Sequence, residues 1–135
     1  MTTELTVLAW ACLLAILHLW LPIRAKTAQY GLKWNMSPRD EAQAPPSAMA
    51  RRLERAQANY YESFPLMVAA VAIVSIADLG TRWTAIGAWL WLGARIVYLP
   101  LYAFGVPVVR SLTWTASVIG LLMVLWPVLR AAAGT

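Results

Sequence analysis

The chain has 135 residues, of which 61% are hydrophobic and 13% are charged. A soluble domain carries about 25% charged residues, so this composition excludes an ordinary soluble domain and predicts one integral membrane domain over residues 1–135. The net charge of +5 does not indicate nucleic-acid binding, because the basic residues cluster in one loop beside hydrophobic segments.

The first hydrophobic segment, residues 5–23, carries no formal charge and is long enough to cross a bilayer. It predicts a helix over residues 3–24, followed by a polar loop over residues 25–47 that is rich in turn-forming residues. We interpret His18 and Cys12 within this helix as packed core residues. The single cysteine excludes an intramolecular disulfide, and no metal-ligand pattern is present.

Three further helices are predicted. The second covers residues 48–79, with Ser47 placed to cap its first turn. It is longer than the hydrocarbon core requires, so its first turns are expected to stand in the headgroups or in water. The third and fourth cover residues 83–104 and 108–130, on either side of a tight turn at residues 105–107.

Basic residues are concentrated on one side of this arrangement. The positive-inside rule therefore places the loop over residues 25–47 in the cytoplasm and both termini on the opposite side. The basic residues of the loop and of the start of the second helix are Arg24, Lys26, Lys33, Arg39, Arg51, Arg52 and Arg55.

The second helix carries a row of polar residues into the membrane. Arg51, Arg55, Asn59 and Glu62 follow one another at steps of four, four and three, so they share one helical face. Such a row is costly in a bilayer unless it meets partners or a ligand. Arg51 also has a simpler interpretation as a charge flanking the membrane.

Two other helices offer partners to this row. The third contains Arg95, Tyr98 and Tyr102, again at helical spacing, and the fourth begins with Arg110 and Ser111. The predicted topology brings all of these residues except Arg95 to the cytoplasmic half of the bundle. Arg95 is expected to lie deeper in the membrane, where an arginine costs about 2.5–3.5 kcal/mol.

Two interpretations of this cluster stand side by side. Arginine side chains bind carboxylates in two-point geometry, a glutamate binds an ammonium and an asparagine bonds an amide, which together suit a small anionic zwitterion such as glutathione. An anionic lipid headgroup would also attract the arginines. Alternatively, the charges pair only to let the helices pack, with Arg95 bound to Glu62.

Three segments resemble a known family. The run from Arg55 to Pro65, RAQANYYESFP, resembles the signature of the membrane-associated proteins in eicosanoid and glutathione metabolism. The segments ARIVY around Arg95 and PVVRSLT around Arg110 are similar to its third-helix and fourth-helix motifs. The resemblance is strongest to bacterial members, and it implies an all-α homotrimer of four-helix subunits that binds glutathione between neighbouring subunits near the cytosolic face.

The resemblance also implies a role for each residue. Arg110 falls where the family places the arginine that stabilises the glutathione thiolate. Arg24 or Lys26 matches a further basic contact, and Trp114 and Ser63 depart from the pattern of some members. The residues implied to bind glutathione are Arg55, Asn59, Glu62, Arg95, Tyr98, Tyr102 and Ser111.

We therefore expect a bacterial inner-membrane protein with both termini periplasmic, surrounded by lipid. Its expected function is a glutathione-dependent transferase or peroxidase that acts on a lipophilic electrophile or hydroperoxide, with glutathione as co-substrate. The rival hypothesis is a non-catalytic membrane protein in which the polar row is a structural network or a lipid-headgroup site.

Overall fold

The computed structural model describes residues 1–134, and every regular element in them is helical. Four long helices carry the fold, and each is long and apolar enough to cross a membrane. In chain order the elements are α1 (Thr3–Tyr30), the short α2 (Leu32–Asn35), α3 (Ala48–Ile76), α4 (Arg82–Ala103) and α5 (Pro107–Ala132).

The first helix and the loop after it differ from the predicted bounds of 3–24 and 25–47. α1 continues to Tyr30, because nothing between residues 24 and 30 breaks a helix, and it ends where Gly31 has a φ of +95°. The following loop contains α2 and is tied back to α1: the hydroxyl of Tyr30 donates a 2.5 Å hydrogen bond to the carbonyl of Ala44.

The predicted cap of the second long helix is confirmed, since the Ser47 Oγ accepts a 3.1 Å hydrogen bond from the Ala50 backbone N–H. α3 ends at Ile76 rather than at residue 79, because the backbone turns at Asp78, whose φ is +53°. α4 and α5 each begin one residue before the predicted starts of 83 and 108.

The bundle has a central pair of helices. α3 and α4 pack against each other, and each of them also contacts both α1 and α5. Within the described residues, α1 and α5 do not pack together, so they lie on opposite sides of the central pair. This order leaves the first half of α3 beside the end of α4 and the start of α5.

Two glycines, Gly87 of α4 and Gly120 of α5, lie where these two helices pack closely together. A Cβ added at Gly120 would lie 2.6 Å from the Gly87 carbonyl oxygen and 2.6 Å from the Trp91 backbone nitrogen. Only glycine leaves room for such contact, and small residues are what allow helices to pack closely in a membrane. The two glycines therefore set the spacing between α4 and α5.

Two tyrosines of α3 hold α1 in place. The hydroxyl of Tyr60, which is fully buried, donates a 2.6 Å hydrogen bond to the Ala11 carbonyl. The hydroxyl of Tyr61 donates a 3.0 Å hydrogen bond to the Ala15 carbonyl, one helical turn further on. Each bond satisfies a polar group that would otherwise be costly in the hydrocarbon region.

Arg52 fixes the turn between α4 and α5. Its Nη1 donates a 3.4 Å hydrogen bond to the Ala103 carbonyl at the end of α4, where a cation is favourable for the helix dipole. A Cβ added at Gly105, whose φ is +72°, would lie 3.2 Å from the Arg52 guanidinium carbon. The contact positions the last turn of α4 and the first turn of α5 against α3.

Candidate functional site

A cavity of about 430 Å³ lies between α3, α4 and α5, on the side of the bundle where Arg52 holds the α4–α5 turn. Of the eight residues predicted to bind glutathione or to act in catalysis, all except Arg95 line it. The lining residues are Arg55, Ala58, Asn59 and Glu62 from α3, Tyr98 and Tyr102 from α4, and Arg110, Ser111 and Trp114 from α5.

Tyr102 joins the two arginines of the cavity. Its hydroxyl accepts a 3.1 Å hydrogen bond from the Nε of Arg55. The guanidinium carbon of Arg110 lies 4.7 Å from the centre of the same ring, which is the geometry of a cation–π contact. One neutral side chain of α4 thus holds cations from α3 and α5 at the same cavity, and within residues 1–134 neither arginine forms an ion pair.

Three other side chains add polar groups to the wall. Within residues 1–134, the Oδ1 of Asn59 is buried and has no hydrogen-bond partner. The exposed carboxylate of Glu62 lies one turn further along α3. The hydroxyl of Ser111 donates a 3.1 Å hydrogen bond to the Pro107 carbonyl, which leaves its oxygen lone pairs to accept from a ligand.

Tyr98 forms the deep wall of the cavity and links it to Arg95. The Tyr98 ring is almost fully buried, and its centre lies 5.5 Å from that of Tyr102. The guanidinium carbon of Arg95 lies 4.7 Å from the Tyr98 ring centre and 5.5 Å from the Tyr60 ring centre. Arg95 therefore touches the back of a cavity residue without lining the cavity itself.

Arg95 is a buried cation with aromatic neighbours. It is 0% exposed, and none of its three guanidinium nitrogens has a hydrogen-bond partner within the described residues. The alternative prediction that it pairs with Glu62 to hold the helices together is therefore wrong. The reason is how α3 and α4 are rotated about their axes. Glu62 faces the cavity, whereas Arg95 is enclosed between Tyr98 and Tyr60, on the side that faces α1.

His18 of α1 lies in the same buried layer, and the prediction that it is a packed residue is confirmed. It is almost fully buried, and its ring stacks on Tyr60 with the two centres 4.5 Å apart. Cys12, in contrast, is exposed on α1, so its interpretation as a core residue is wrong. Sequence spacing alone does not reveal which face of α1 meets the other helices.

The basic residues at the end of α1 do not line the cavity. Lys26 forms an ion pair with Glu54 of α3, so this side chain ties α1 to α3. Arg24 is exposed. Arg51 is also exposed and absent from the lining, in agreement with its interpretation as a flanking charge.

Two lining residues, Trp114 and Ala58, were not predicted as part of the site. The available signal was spacing: Trp114 follows Arg110 by four positions, and Ala58 follows Arg55 by three, so each shares a helical face with a predicted residue. Neither carries a charged side chain, so the pattern of charged and amide residues does not indicate them.

The cavity is suited to an anionic molecule with mixed polar groups. Arg55 and Arg110 provide two guanidinium groups against the single carboxylate of Glu62. Its volume falls within the range of small-molecule sites, which is about 300–1,000 Å³. An unpaired Asn59 oxygen is costly unless a donor reaches it, so an N–H group of a ligand would satisfy it.

Comparison with known proteins gives one family. The model of the MAPEG family matches residues 7–130. This range contains α3, α4 and every residue of the cavity, together with all of α1 and α5 except the first turn of α1 and the last two residues of α5. No curated protein and no solved structure matches the chain.

Proposed function

Because the chain belongs to the MAPEG family of integral membrane proteins, we propose that it is a glutathione-dependent transferase or peroxidase. Its second substrate is a lipophilic electrophile or hydroperoxide drawn from the bilayer. The observation that carries the proposal is the meeting of Arg55, Asn59 and Glu62 from the signature segment with Tyr102 and Arg110 at one cavity.

Glutathione fits the groups that this cavity offers. The tripeptide has two carboxylates, an ammonium, two amides and a thiol. Arg55 is placed to hold a carboxylate, and Glu62 to hold the ammonium. The unpaired oxygen of Asn59 is placed to accept from an amide N–H, and the hydroxyls of Ser111, Tyr98 and Tyr102 supply further hydrogen bonds.

Arg110 is the proposed catalytic residue. Its guanidinium, held over the Tyr102 ring, would stabilise the glutathione thiolate by charge while the thiol proton passes to water. The thiolate sulfur then forms a bond to the electrophilic carbon, and the leaving group departs with its bonding electron pair. With a hydroperoxide, the sulfur attacks the terminal oxygen and the O–O bond breaks, which gives glutathione sulfenic acid and an alkoxide that takes a proton from water to become the alcohol. The thiol of a second glutathione then attacks the sulfenic sulfur, forming the disulfide and releasing water.

Arg95 has a different proposed role from the one that the resemblance implies. Because it touches Tyr98 from behind and does not line the cavity, we propose that it positions this tyrosine and adds positive charge near the bound tripeptide. Its proposed action on glutathione is therefore indirect.

We also propose the assembly and orientation that the family resemblance implies. The protein would be a single-domain homotrimer in a bacterial inner membrane, with both termini periplasmic. The loop between α1 and α3 carries Lys33 and Arg39 and is followed by Arg51 and Arg52, which supports a cytoplasmic location. The cavity would then open toward the cytoplasm, where glutathione is available.

The rival function is a structural polar network or a lipid-headgroup site with no catalysis. A structural network would pair its members, whereas Asn59 Oδ1 and the Arg95 nitrogens lack partners within the described residues. Glutathione binding by the purified protein in detergent, measured by calorimetry, separates the two hypotheses.

Four proteins should be compared in that calorimetry: the wild type, Arg55→Ala, Glu62→Ala and Arg51→Ala. The last is a matched control, because Arg51 is an exposed arginine of the same helix that does not line the cavity. We expect binding by the wild type and Arg51→Ala, and strongly weakened binding by the other two. Absence of binding by the wild type would reject the enzyme hypothesis.

A further inference from the structure

Trp114 is the one large apolar side chain in the lining of the cavity, and the proposed glutathione contacts do not use it. It follows Arg110 by four positions on α5, so the two side chains lie on the same helical face, about 6 Å apart along the axis. Trp114 as a residue is 43% exposed, so part of its side-chain surface is open to an incoming molecule.

Trp114 lies further into the membrane-spanning part of α5 than Arg110. α5 begins at Pro107 and runs from there into the apolar span, so Trp114 is one turn deeper than the arginine. The indole therefore lines the deeper part of the cavity on α5, one turn further into the apolar span than the group proposed to hold the thiolate.

We propose that Trp114 determines the specificity for the second substrate, and that it favours lipophilic electrophiles that carry an aromatic ring. The inference rests on the proposed glutathione chemistry. An indole that pairs with another aromatic ring gains more than burial of the same area alone provides. Stacking on Trp114 would hold the reactive carbon of the ring within one helical turn of Arg110.

Two probes distinguish stacking from simple burial of apolar surface. In chlorodinitrobenzene, the thiolate forms a bond to the ring carbon that bears chlorine, and chloride leaves with the bonding pair. In a long-chain aliphatic enal, the thiolate adds to the β carbon and the α carbon takes a proton from water. Each reaction consumes one glutathione and needs no oxidant; one probe carries an aromatic ring and the other does not, and each variant is compared with the wild type on the same probe.

The test compares Trp114→Ala, Trp114→Phe and Trp126→Ala with the wild type. Trp126 is a matched control, because it is a similarly exposed tryptophan of the same helix that lines no part of this cavity. For Trp114→Ala we expect KM for chlorodinitrobenzene to rise about fivefold to tenfold, the loss of one aromatic pair. KM for the enal and the Kd for glutathione should change by less than about twofold on the same scale.

Trp114→Phe keeps a ring and should retain the wild-type preference for the aromatic probe, which keeps the test informative even if the alanine variant folds poorly. Trp126→Ala should behave as the wild type. An equal rise in KM for both probes, or a parallel loss of glutathione affinity, would overturn the specificity role while leaving the proposed function intact. Failure of the wild type to bind glutathione would overturn the proposed function and this inference together.

Discussion

The Nε of Arg55 donates a 3.1 Å hydrogen bond to the hydroxyl of Tyr102, and this contact joins the signature segment of α3 to the last turn of α4. The same ring carries the guanidinium of Arg110 at 4.7 Å from its centre. Two cations that would repel each other are thus held at one cavity by a neutral side chain. Their combined charge is available to an anionic ligand because neither arginine forms an ion pair with a side chain in the described part of the chain.

Tyr102→Phe should separate the two functions of this ring. It removes the hydrogen bond to Arg55 but keeps the aromatic face beneath Arg110. A hydrogen bond to a charged group contributes about 1.5–3 kcal/mol, so we expect glutathione to bind about tenfold to a hundredfold more weakly, with the thiolate still formed at saturation. Calorimetry and ultraviolet absorbance of the thiolate test this, and Tyr102→Leu should lose both properties.

Arg95→Met should weaken glutathione binding without destabilising the protein. A buried cation with no acidic partner costs several kcal/mol in desolvation, and methionine fills a similar volume without that cost. We therefore expect an apparent melting temperature in detergent that is unchanged or raised, together with a higher Kd for glutathione. A large drop in melting temperature with normal binding would instead assign Arg95 a purely structural role.

Gly120→Ala should loosen the contact between α4 and α5. The added Cβ would lie 2.6 Å from backbone atoms of α4, and overpacking of this kind costs about 1–3 kcal/mol. Gly93→Ala is the matched control, since a Cβ there meets nothing within 4 Å. Thermal unfolding in detergent should show a lower melting temperature only for Gly120→Ala; equal behaviour of the two variants would contradict the close approach.

The proposed orientation predicts which cysteines a membrane-impermeant thiol reagent can reach. In a Cys12→Ser background, a cysteine replacing Thr2 should be labelled in intact cells from the periplasmic side. A cysteine replacing Ser37, an exposed residue of the loop between α1 and α3, should be labelled only after the cells are opened. The reverse pattern would place the loop outside the cytoplasm.

The polar row of α3 was predictable from sequence, and its neighbours only partly so. Helical spacing puts Arg55, Asn59 and Glu62 on one face whatever the rest of the fold, and the structure has them lining one cavity. The burial of Arg95 between Tyr98 and Tyr60 depends on how α4 is rotated against α1 and α3. Nothing in the spacing within α4 determines that rotation.

The end of α1 and the place of Trp114 in the site are two further features that the sequence did not predict. Arg24 and Lys26 mark the membrane surface, but a charge does not end a helix, and α1 continues until the backbone reaches a positive φ at Gly31. Trp114 carries no charge, and among the eight tryptophans of an apolar chain its type alone does not single it out. Its spacing of four from Arg110 places it on the same helical face, and the lining of the cavity then shows that it belongs to the site.

The most direct test of the central claim is the ultraviolet thiolate absorbance of glutathione bound to the purified protein, compared among the wild type, Arg110→Ala and Arg51→Ala. We predict a thiolate signal for the wild type and for Arg51→Ala. For Arg110→Ala we predict binding without that signal and conjugation of chlorodinitrobenzene reduced at least about a hundredfold, the typical loss when one charge-stabilising donor is removed. A wild type that binds no glutathione, or an Arg110→Ala variant that retains the full thiolate signal, would contradict it.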